Sequence, residues 1–150
     1  MDAEQIVQVV ITEMECGNMD LAAEYLSEDM IFSGPVPHPV GKQEFLAIQG
    51  ALMAAIPDWS FNLMLVRVEE ERVLGTVQIT GTHTETLRLP MPGVPPVPAT
   101  GLAISLPTET VDFLFDGDQI AEIRSEPVPG GGVPGVLAQL GIELPMPARD

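Results

Sequence analysis

The sequence predicts an α+β fold, in which helices come first and a meander of long antiparallel strands follows them. Apolar residues recur at helical spacing in the first third of the chain. From Trp59 onward they alternate with polar residues, which is the period of a strand. The chain has 150 residues and is 45% hydrophobic. We therefore expect a single domain over residues 1–150, with a buried core.

Three helices are predicted before the period changes. Asp2 and Gln5 have the spacing of a capping box, and the helix that they open is predicted to end at Gly17. A second, short helix is predicted over 19–27. The third is predicted over 41–57, because its apolar residues form one stripe at helical spacing and a proline follows them.

Four strands are predicted after the third helix, and a short helix follows them. The sequence Asp116-Gly117-Asp118 has the composition of a tight turn, so the third and fourth strands are expected to form a hairpin. A bulge is expected near Pro107, within the third strand. The predicted ranges are 59–69, 72–86, 102–115 and 119–127 for the strands and 133–140 for the helix.

The stretch GTHTETLRLPMPGVPPVPATG, residues 81–101, contains a proline cluster between two strand-like ends. It joins consecutive strands of the predicted sheet, so we interpret it as a long loop within the domain and not as a linker between domains. Ordered loops of this length often form the rim of a binding site. The alternative is a loop tip that has no role in function.

Composition excludes several classes of function. The chain carries 6 Lys and Arg against 22 Asp and Glu, a formal charge of −16. Nucleic acid and anionic membrane surfaces attract basic patches, so neither is an expected partner. The N-terminal MDAEQIVQVV lacks the basic start of a signal peptide, and no apolar run approaches the ~20 residues of a membrane span. A cytoplasmic protein is therefore expected.

The sequence predicts neither a metal site nor a cofactor. Cys16 is the single cysteine, so no disulfide framework or cysteine-rich metal site can form within the chain. The two histidines, His38 and His83, lie far apart in sequence and do not have the spacing of a zinc site. The glycines at 130–132 follow a strand but lack the pattern of a phosphate-binding loop.

Five short phrases occur in an order that is typical of one family. The chain resembles the SnoaL-like polyketide cyclase (ester cyclase) branch of the NTF2-like superfamily, and the resemblance covers about residues 3–142. The first is a predicted helix that begins at Gly41 and ends at AIPD, residues 55–58. The other four are GTH at 81–83, PATG at 98–101, FDGDQIAE at 115–122 and QLG at 139–141.

The resemblance implies a cystatin-like cone, in which a strongly curved antiparallel sheet wraps around the N-terminal helices and encloses an apolar cavity. It also implies a small apolar molecule as ligand and a homodimer as the assembly. Relatives include ring-closing cyclases, ketosteroid isomerases, epoxide hydrolases and proteins without known activity. The fold alone therefore does not give the function, which has to be argued from the residues of the site.

The predicted hairpin indicates which side chains face this cavity. If Phe115 pairs with Ile120, simple alternation makes Val111 oppose Arg124 and Phe113 oppose Glu122. The apolar face of the hairpin is expected to point inward. It would then carry four charged residues, namely Glu109, Glu122, Arg124 and Glu126. A slip of one residue would bring other residues inside, namely Thr110, Asp112 and Ser125.

Three of these residues are candidates for catalysis. Glu126 is the candidate base, because burial in an apolar cavity would raise the pKa of its carboxyl group. Arg124 and His83 are candidates for stabilising an enolate oxygen. The alternatives are a solvated Glu126, an Arg–Glu pair between strands and a core histidine. Expected substrate-binding residues are Trp59, Phe61, Glu109, Val111, Phe113 and Glu122.

One departure from the family pattern weakens the catalytic prediction. The resemblance implies a tryptophan and a later aspartate on the fourth strand, the aspartate being the general acid and base. Arg124 occupies the tryptophan position, and the aspartate position falls near Val128 in a segment without aspartate. Either Glu126 replaces that aspartate, or the cyclase chemistry is absent.

Three functions are compatible with these features of the sequence. The first is a cofactor-free enzyme that removes a proton next to a carbonyl group, which leads to aldol ring closure or isomerisation. The second is a protein that binds an apolar ligand in the same cavity without catalysis. The third is a structural dimer module that uses the exposed face of the sheet. A convergent pair of acid and base groups in the cavity would favour the first function, and an apolar cavity without such a pair would favour the second.

Overall fold

The computed structural model describes residues 2–34, 38–90 and 94–142. Three of the four helices occupy much the same segments that the sequence predicts, whereas the helix predicted over 19–27 ends at Ala23 and residues 26 and 27 belong to a strand. The α1 helix begins at the capping box, in which the Asp2 side chain accepts from Gln5 N–H and the Gln5 side chain accepts from Asp2 N–H. The helices are α1 (Ala3–Glu15), α2 (Met19–Ala23), α3 (Lys42–Ala55) and α4 (Gly132–Gln139).

Within the described residues, six strands form the main sheet, in the order β2-β1-β8-β7-β4-β3. Two further strands, β5 (Thr80–Thr82) and β6 (Ala103–Ser105), pair with each other in a separate antiparallel ribbon. The strands of the main sheet are β1 (Leu26–Ser33), β2 (Val40–Gly41), β3 (Met64–Val68), β4 (Arg72–Val77), β7 (Glu109–Asp116) and β8 (Gln119–Ser125).

The predicted α+β class is confirmed, while four details of the predicted sheet are wrong. The strand predicted over 59–69 is shortened to β3, Met64–Val68. The sheet is not wholly antiparallel, because β1 and β8 run parallel. The strand predicted over 72–86 is divided into β4 and β5, and the one predicted over 102–115 is divided into β6 and β7. Pro107 lies in the second of these breaks. Proline has no backbone N–H to donate to a ladder, so the strand is interrupted there and not merely bulged.

The core lies between the helices and one face of the sheet. The α1 stripe buries Val7 and Val10 completely, and α3 buries Leu52 at 2% exposure. From the sheet, Val73 and Phe113 reach the same core. Burial of each such side chain contributes about 1.5–3 kcal/mol to the free energy of unfolding. The apolar stripes in the sequence therefore hold the helices against the sheet.

The ends of the proline-rich loop are anchored in this core. Leu87 and Val97 pair across the loop through two backbone hydrogen bonds of 2.9 Å, and both side chains are buried. Leu89 is buried as well, at 7% exposure. The arrangement agrees with a loop within the domain, and the loop tip at 91–93 lies outside the described residues.

A bulge in β8 changes the register of the predicted hairpin. Phe115 pairs with Ile120 as expected, but the register then shifts, so that Phe113 pairs with Ile123 and Val111 pairs with Ser125. The predicted pairing of Val111 with Arg124 is wrong. The extra residue on β8 reverses the faces of every side chain that follows it on this strand, whereas β7 keeps the predicted orientation.

Candidate active site

A pocket of about 70 Å³ lies between α1, α3, α4 and the inner face of the sheet. Its walls are almost entirely apolar, with Met14 and Val10 on one side and Phe113 and Val111 on another. A cavity of roughly 150 Å³ is known to admit benzene. An occupant of that size would therefore have to displace side chains of this pocket.

Glu109 is the ionisable side chain of this pocket. It lies at the start of β7, is 2% exposed, and lines the pocket beside apolar residues. Its Oε1 accepts a hydrogen bond of 3.2 Å from the Ser125 hydroxyl, and its Oε2 accepts one of 3.3 Å from Gly132 N–H. Burial raises the pKa of the Glu109 carboxyl above its ordinary value of 4.5, although the two hydrogen bonds act in the opposite direction.

The glycines at 130–132 bring the start of α4 close to this carboxylate. A Cβ atom at Gly131 would lie 3.1 Å from Cδ of Glu109 and 2.7 Å from Cγ2 of Val128. Gly132 has a φ of +67°, which glycine adopts at little cost. The run therefore allows a backbone N–H group at a helix N-terminus to reach a buried carboxylate. In the sequence these glycines show only that a phosphate-binding pattern is missing, and nothing in it indicates their contact with Glu109.

Five of the predicted site residues line the pocket. Trp59 and Phe61 form one part of its wall, where their rings meet edge to face with centroids 5.8 Å apart. Val111, Phe113 and Glu109 line it from β7. These residues were predicted as substrate-binding, and their location is compatible with that role.

Three other predicted residues lie outside the pocket. Arg124 is exposed on the outer face of the sheet, where its guanidinium group pairs with Glu122 on the same strand. Glu126 is exposed beyond the end of β8. We expected all three side chains to point inward, and this orientation is wrong because the bulge in β8 turns the strand over. Ile123 and Ser125 take the inward positions.

The alternative that a slip of one residue offers is correct for β8 but not for β7. Ser125 lines the pocket, as a slip of one residue would place it. Asp112 lies on the outer face instead, where it pairs with Arg72 at 2.9 Å. Thr110 is only partly buried and does not line the pocket.

His83 is fully buried but does not line the pocket. Its Nδ1 lies 2.9 Å from the Thr100 hydroxyl and accepts a second hydrogen bond from Thr100 N–H at 3.3 Å. Nε2 of His83 is buried without a hydrogen-bond partner among the described residues. His83 thus joins the segments on the two sides of the proline-rich loop.

Gln49 is a pocket residue that the sequence analysis missed. It lies on the buried face of α3, one turn after Phe45 and one turn before Leu52, and is 7% exposed. Its Oε1 has no hydrogen-bond partner among the described residues, and the same holds for Nε1 of Trp59. The available signal was a polar residue within the apolar stripe of the predicted third helix.

The described part of the chain offers no metal site, since no group of three or more His, Cys, Asp and Glu side chains converges in it. Among the described residues that line the pocket, Glu109 is the one charged group. None of the described helices is long and apolar enough to cross a membrane.

Comparison with known proteins identifies the family. The model of the SnoaL-like polyketide cyclase family matches residues 4–127, so the chain belongs to this family. This membership supports a cyclase-type role. No curated protein matches the chain.

Solved structures of similar fold cover most of the chain. A candidate polyketide cyclase from Xanthomonas campestris is 18% identical, covers 92% of this chain and 96% of its own, and has a TM-score of 0.68. AclR, a candidate hydroxylase from Streptomyces galilaeus, is 17% identical, with coverages of 92% and 94% and a TM-score of 0.68. A cystatin-fold protein from Novosphingobium aromaticivorans is 16% identical, with coverages of 83% and 97% and a TM-score of 0.59. At such identities the likeness establishes the cystatin-like fold alone.

Proposed function

We propose that this chain is a cofactor-free acid–base catalyst that acts on a small apolar carbonyl compound, and that Glu109 is its proton-transferring group. The observation that carries the proposal is the burial of one carboxylate in an otherwise apolar pocket. Glu109 is 2% exposed, and it is the only ionisable side chain among the described residues that line the pocket. Residues of this kind are typical of functional sites.

The environment of Glu109 suits removal of a proton from carbon. Burial raises the pKa of its carboxyl group, and a base with a raised pKa is a stronger proton acceptor near neutral pH. Ser125 and Gly132 hold the two carboxylate oxygens in place through hydrogen bonds. The carboxylate is therefore oriented without a charged partner that would weaken it as a base.

One carboxylate is sufficient for an aldol ring closure. Glu109 takes a proton from the carbon next to a carbonyl group, and the resulting enolate attacks a second carbonyl carbon of the same molecule. The new C–C bond leaves an alkoxide, which takes the proton back from the Glu109 carboxylic acid. In an isomerisation, Glu109 returns the proton to a different carbon. Neither reaction needs an oxidant, a metal or a net change in protons.

The position of Glu109 relative to Val128 supports this assignment. The family pattern places its aspartate near Val128, which in this chain cannot transfer a proton. A Cβ atom added at Gly131 would contact both the Glu109 carboxyl carbon and the Val128 side chain, so these two groups lie on the same side of Gly131. A carboxylate from the neighbouring strand thus reaches the region that the family aspartate would occupy.

Non-catalytic binding of an apolar ligand is the second candidate function. It is favoured by the absence of a second charged group among the described residues that line the pocket. The two functions share a ligand class, a small apolar molecule, and differ in whether a proton moves. The homodimer expected from the sequence stays a prediction.

Deuterium exchange into a simple ketone tests the proposal. Acetophenone is incubated with the protein in D₂O, and loss of its methyl proton signal is followed by NMR. The comparison is between Glu109→Gln and Glu126→Gln, because both variants remove one carboxylate and Glu126 is exposed. A general base contributes about 10²- to 10⁴-fold, so we expect Glu109→Gln to lose at least about 100-fold and Glu126→Gln to match the wild type.

Two outcomes would overturn the catalytic proposal. If exchange depends on Glu126 and survives Glu109→Gln, the base has been assigned wrongly. If acetophenone binds in the pocket without any exchange above the rate in buffer, the protein binds such compounds without catalysis, as the second candidate function predicts.

A further inference from the structure

Two pocket-lining side chains bury polar atoms that lack a protein partner. Gln49 contributes its Oε1 from α3, and Trp59 contributes its Nε1–H from the segment that follows α3. The two residues are 7% and 5% exposed. Neither atom has a hydrogen-bond partner among the described residues.

Such atoms are costly in an apolar environment. A buried polar group without a partner destabilises the fold by the full loss of its hydration. Leucine or methionine at position 49 would fill a similar volume without this cost, and phenylalanine at position 59 would avoid it with a smaller ring. The neighbours of Gln49 on the same helix face, Phe45 and Leu52, are apolar and offer the amide no hydrogen-bond partner. A ligand that pairs with these atoms would explain why they are polar.

We propose that Gln49 and Trp59 form the polar recognition pair of the pocket and that its ligand is an apolar hydroxy ketone. Oε1 of Gln49 can only accept a hydrogen bond, so it pairs with a ligand hydroxyl group. Nε1–H of Trp59 can only donate, so it pairs with a ligand carbonyl oxygen. The remaining walls are apolar and contact the carbon skeleton.

The inference deepens the proposed function and rests on it for the role of the pocket. It names the substrate class through two hydrogen bonds that do not involve Glu109. A donor at the carbonyl oxygen also fits the chemistry, because that oxygen becomes negative in the enolate. The two proposals are separable by experiment, since one concerns proton transfer by Glu109 and the other concerns binding selectivity.

The test uses three probes that share one skeleton. Ethylbenzene has no polar group, acetophenone adds a carbonyl group, and α-hydroxyacetophenone adds a hydroxyl group. Dissociation constants are measured by ligand-observed NMR for the wild type, Gln49→Met and Trp59→Phe. Each variant removes one polar partner and retains an apolar side chain, so each is the control for the other.

We expect each polar group to contribute about fivefold in affinity in the wild type, the size of one net hydrogen bond. Gln49→Met should abolish the gain from the hydroxyl group and retain the gain from the carbonyl group. Trp59→Phe should abolish the gain from the carbonyl group and retain the gain from the hydroxyl group. Each affinity is expressed relative to that of ethylbenzene for the same protein, because ethylbenzene makes neither hydrogen bond and reports only the change in apolar contact with the pocket wall.

Melting temperatures provide the second readout. Because Gln49→Met removes an unpartnered buried amide, it should leave the melting temperature unchanged or raise it. A fall of several degrees would assign the amide to the fold and overturn its role in binding. The proposal also fails if the wild type binds none of the probes or binds all three with equal affinity. It fails as well if Gln49→Met lowers the affinities for acetophenone and for α-hydroxyacetophenone by the same factor. Loss of exchange in Glu109→Gln has no bearing on these outcomes.

Discussion

The Ser125 hydroxyl donates a hydrogen bond of 3.2 Å to Oε1 of the buried Glu109. The two residues lie on adjacent strands, β8 and β7, and both face the pocket. This bond forms because the bulge in β8 turns Ser125 inward and its neighbours Arg124 and Glu126 outward. It favours the ionised carboxylate and so opposes the effect of burial on the pKa of Glu109.

Ser125→Ala should raise the pKa of Glu109 further, because it removes one hydrogen bond to the ionised form. The pH at which acetophenone exchange reaches half of its maximum rate should then move upward. The pH profile of the exchange rate measures this shift, and Ser125→Thr, which keeps the hydroxyl group, is the conservative control. A profile that does not move, or that moves to lower pH, would mean that Ser125 does not tune Glu109.

Glu109→Gln should stabilise the fold at neutral pH, and the gain should vanish in acid. The pKa of Glu109 is raised in the folded state, so the folded protein binds a proton more tightly than the unfolded chain does. The wild type therefore loses stability as the pH rises through the interval between the ordinary pKa of 4.5 and the folded pKa.

Urea denaturation of the wild type and Glu109→Gln at several pH values measures this effect. The difference in the free energy of unfolding should be smallest below the ordinary pKa and should grow as the pH rises. Glu126→Gln is the matched control and should show no such growth, because Glu126 is exposed. A difference that shrinks with rising pH would show that the carboxylate is better stabilised in the folded protein than in water.

Much of this fold could be predicted because its signals are local. The capping box of Asp2 and Gln5 lies within one turn of helix, and the apolar stripe of α3 repeats every few residues. The inward orientation of Glu109 also followed from alternation along β7, which continues without interruption from Val111 and Phe113. These features depend on residues that are close together in the chain, so they can be predicted from the sequence alone.

The bulge in β8 was not predicted, because alternation was extended along the strand from a single pair. Uninterrupted alternation from the Phe115–Ile120 pair predicts Arg124 and two glutamates inward and Ile123 outward. The apolar residues Ile120 and Ile123 are three positions apart, and only an inserted residue puts both on one face. The hydrogen bond between Ser125 and Glu109 depends on this one residue, as does the exclusion of Arg124 from the site.

Arg124→Ala should leave exchange and probe binding unchanged. The Arg124 side chain is 56% exposed and pairs with Glu122 on the outer face, so it does not contact the pocket. Exposed ion pairs contribute little to stability, and salt screens them. Activity, affinity and melting temperature should therefore match the wild type at physiological ionic strength. A loss of exchange in Arg124→Ala would place this residue in the catalytic mechanism and contradict the outward orientation of the strand.

Gly131→Ala and Gly50→Ala should change stability in opposite directions. A Cβ atom at Gly131 would lie 2.7 Å from Val128 and 3.1 Å from the Glu109 carboxyl carbon, so one of these side chains has to move. The backbone at Gly131 has a φ of −101°, which alanine adopts readily, and the cost therefore arises from the contact alone. Overpacking of this kind costs about 1–3 kcal/mol, and it should also lower the exchange rate because it displaces Glu109.

Gly50 is the control because it lies inside α3, where an added Cβ atom has its nearest neighbour at 4.0 Å. Alanine in a helix interior is more favourable than glycine by about 0.8–1 kcal/mol, so Gly50→Ala should raise the free energy of unfolding by that amount. Urea denaturation measures both values, and the exchange rate of Gly50→Ala should stay at the wild-type level. If Gly131→Ala proves neutral in both stability and exchange, the approach of α4 to Glu109 is looser than these distances indicate. The hydrogen bond from Gly132 would then contribute little to holding the carboxylate in place.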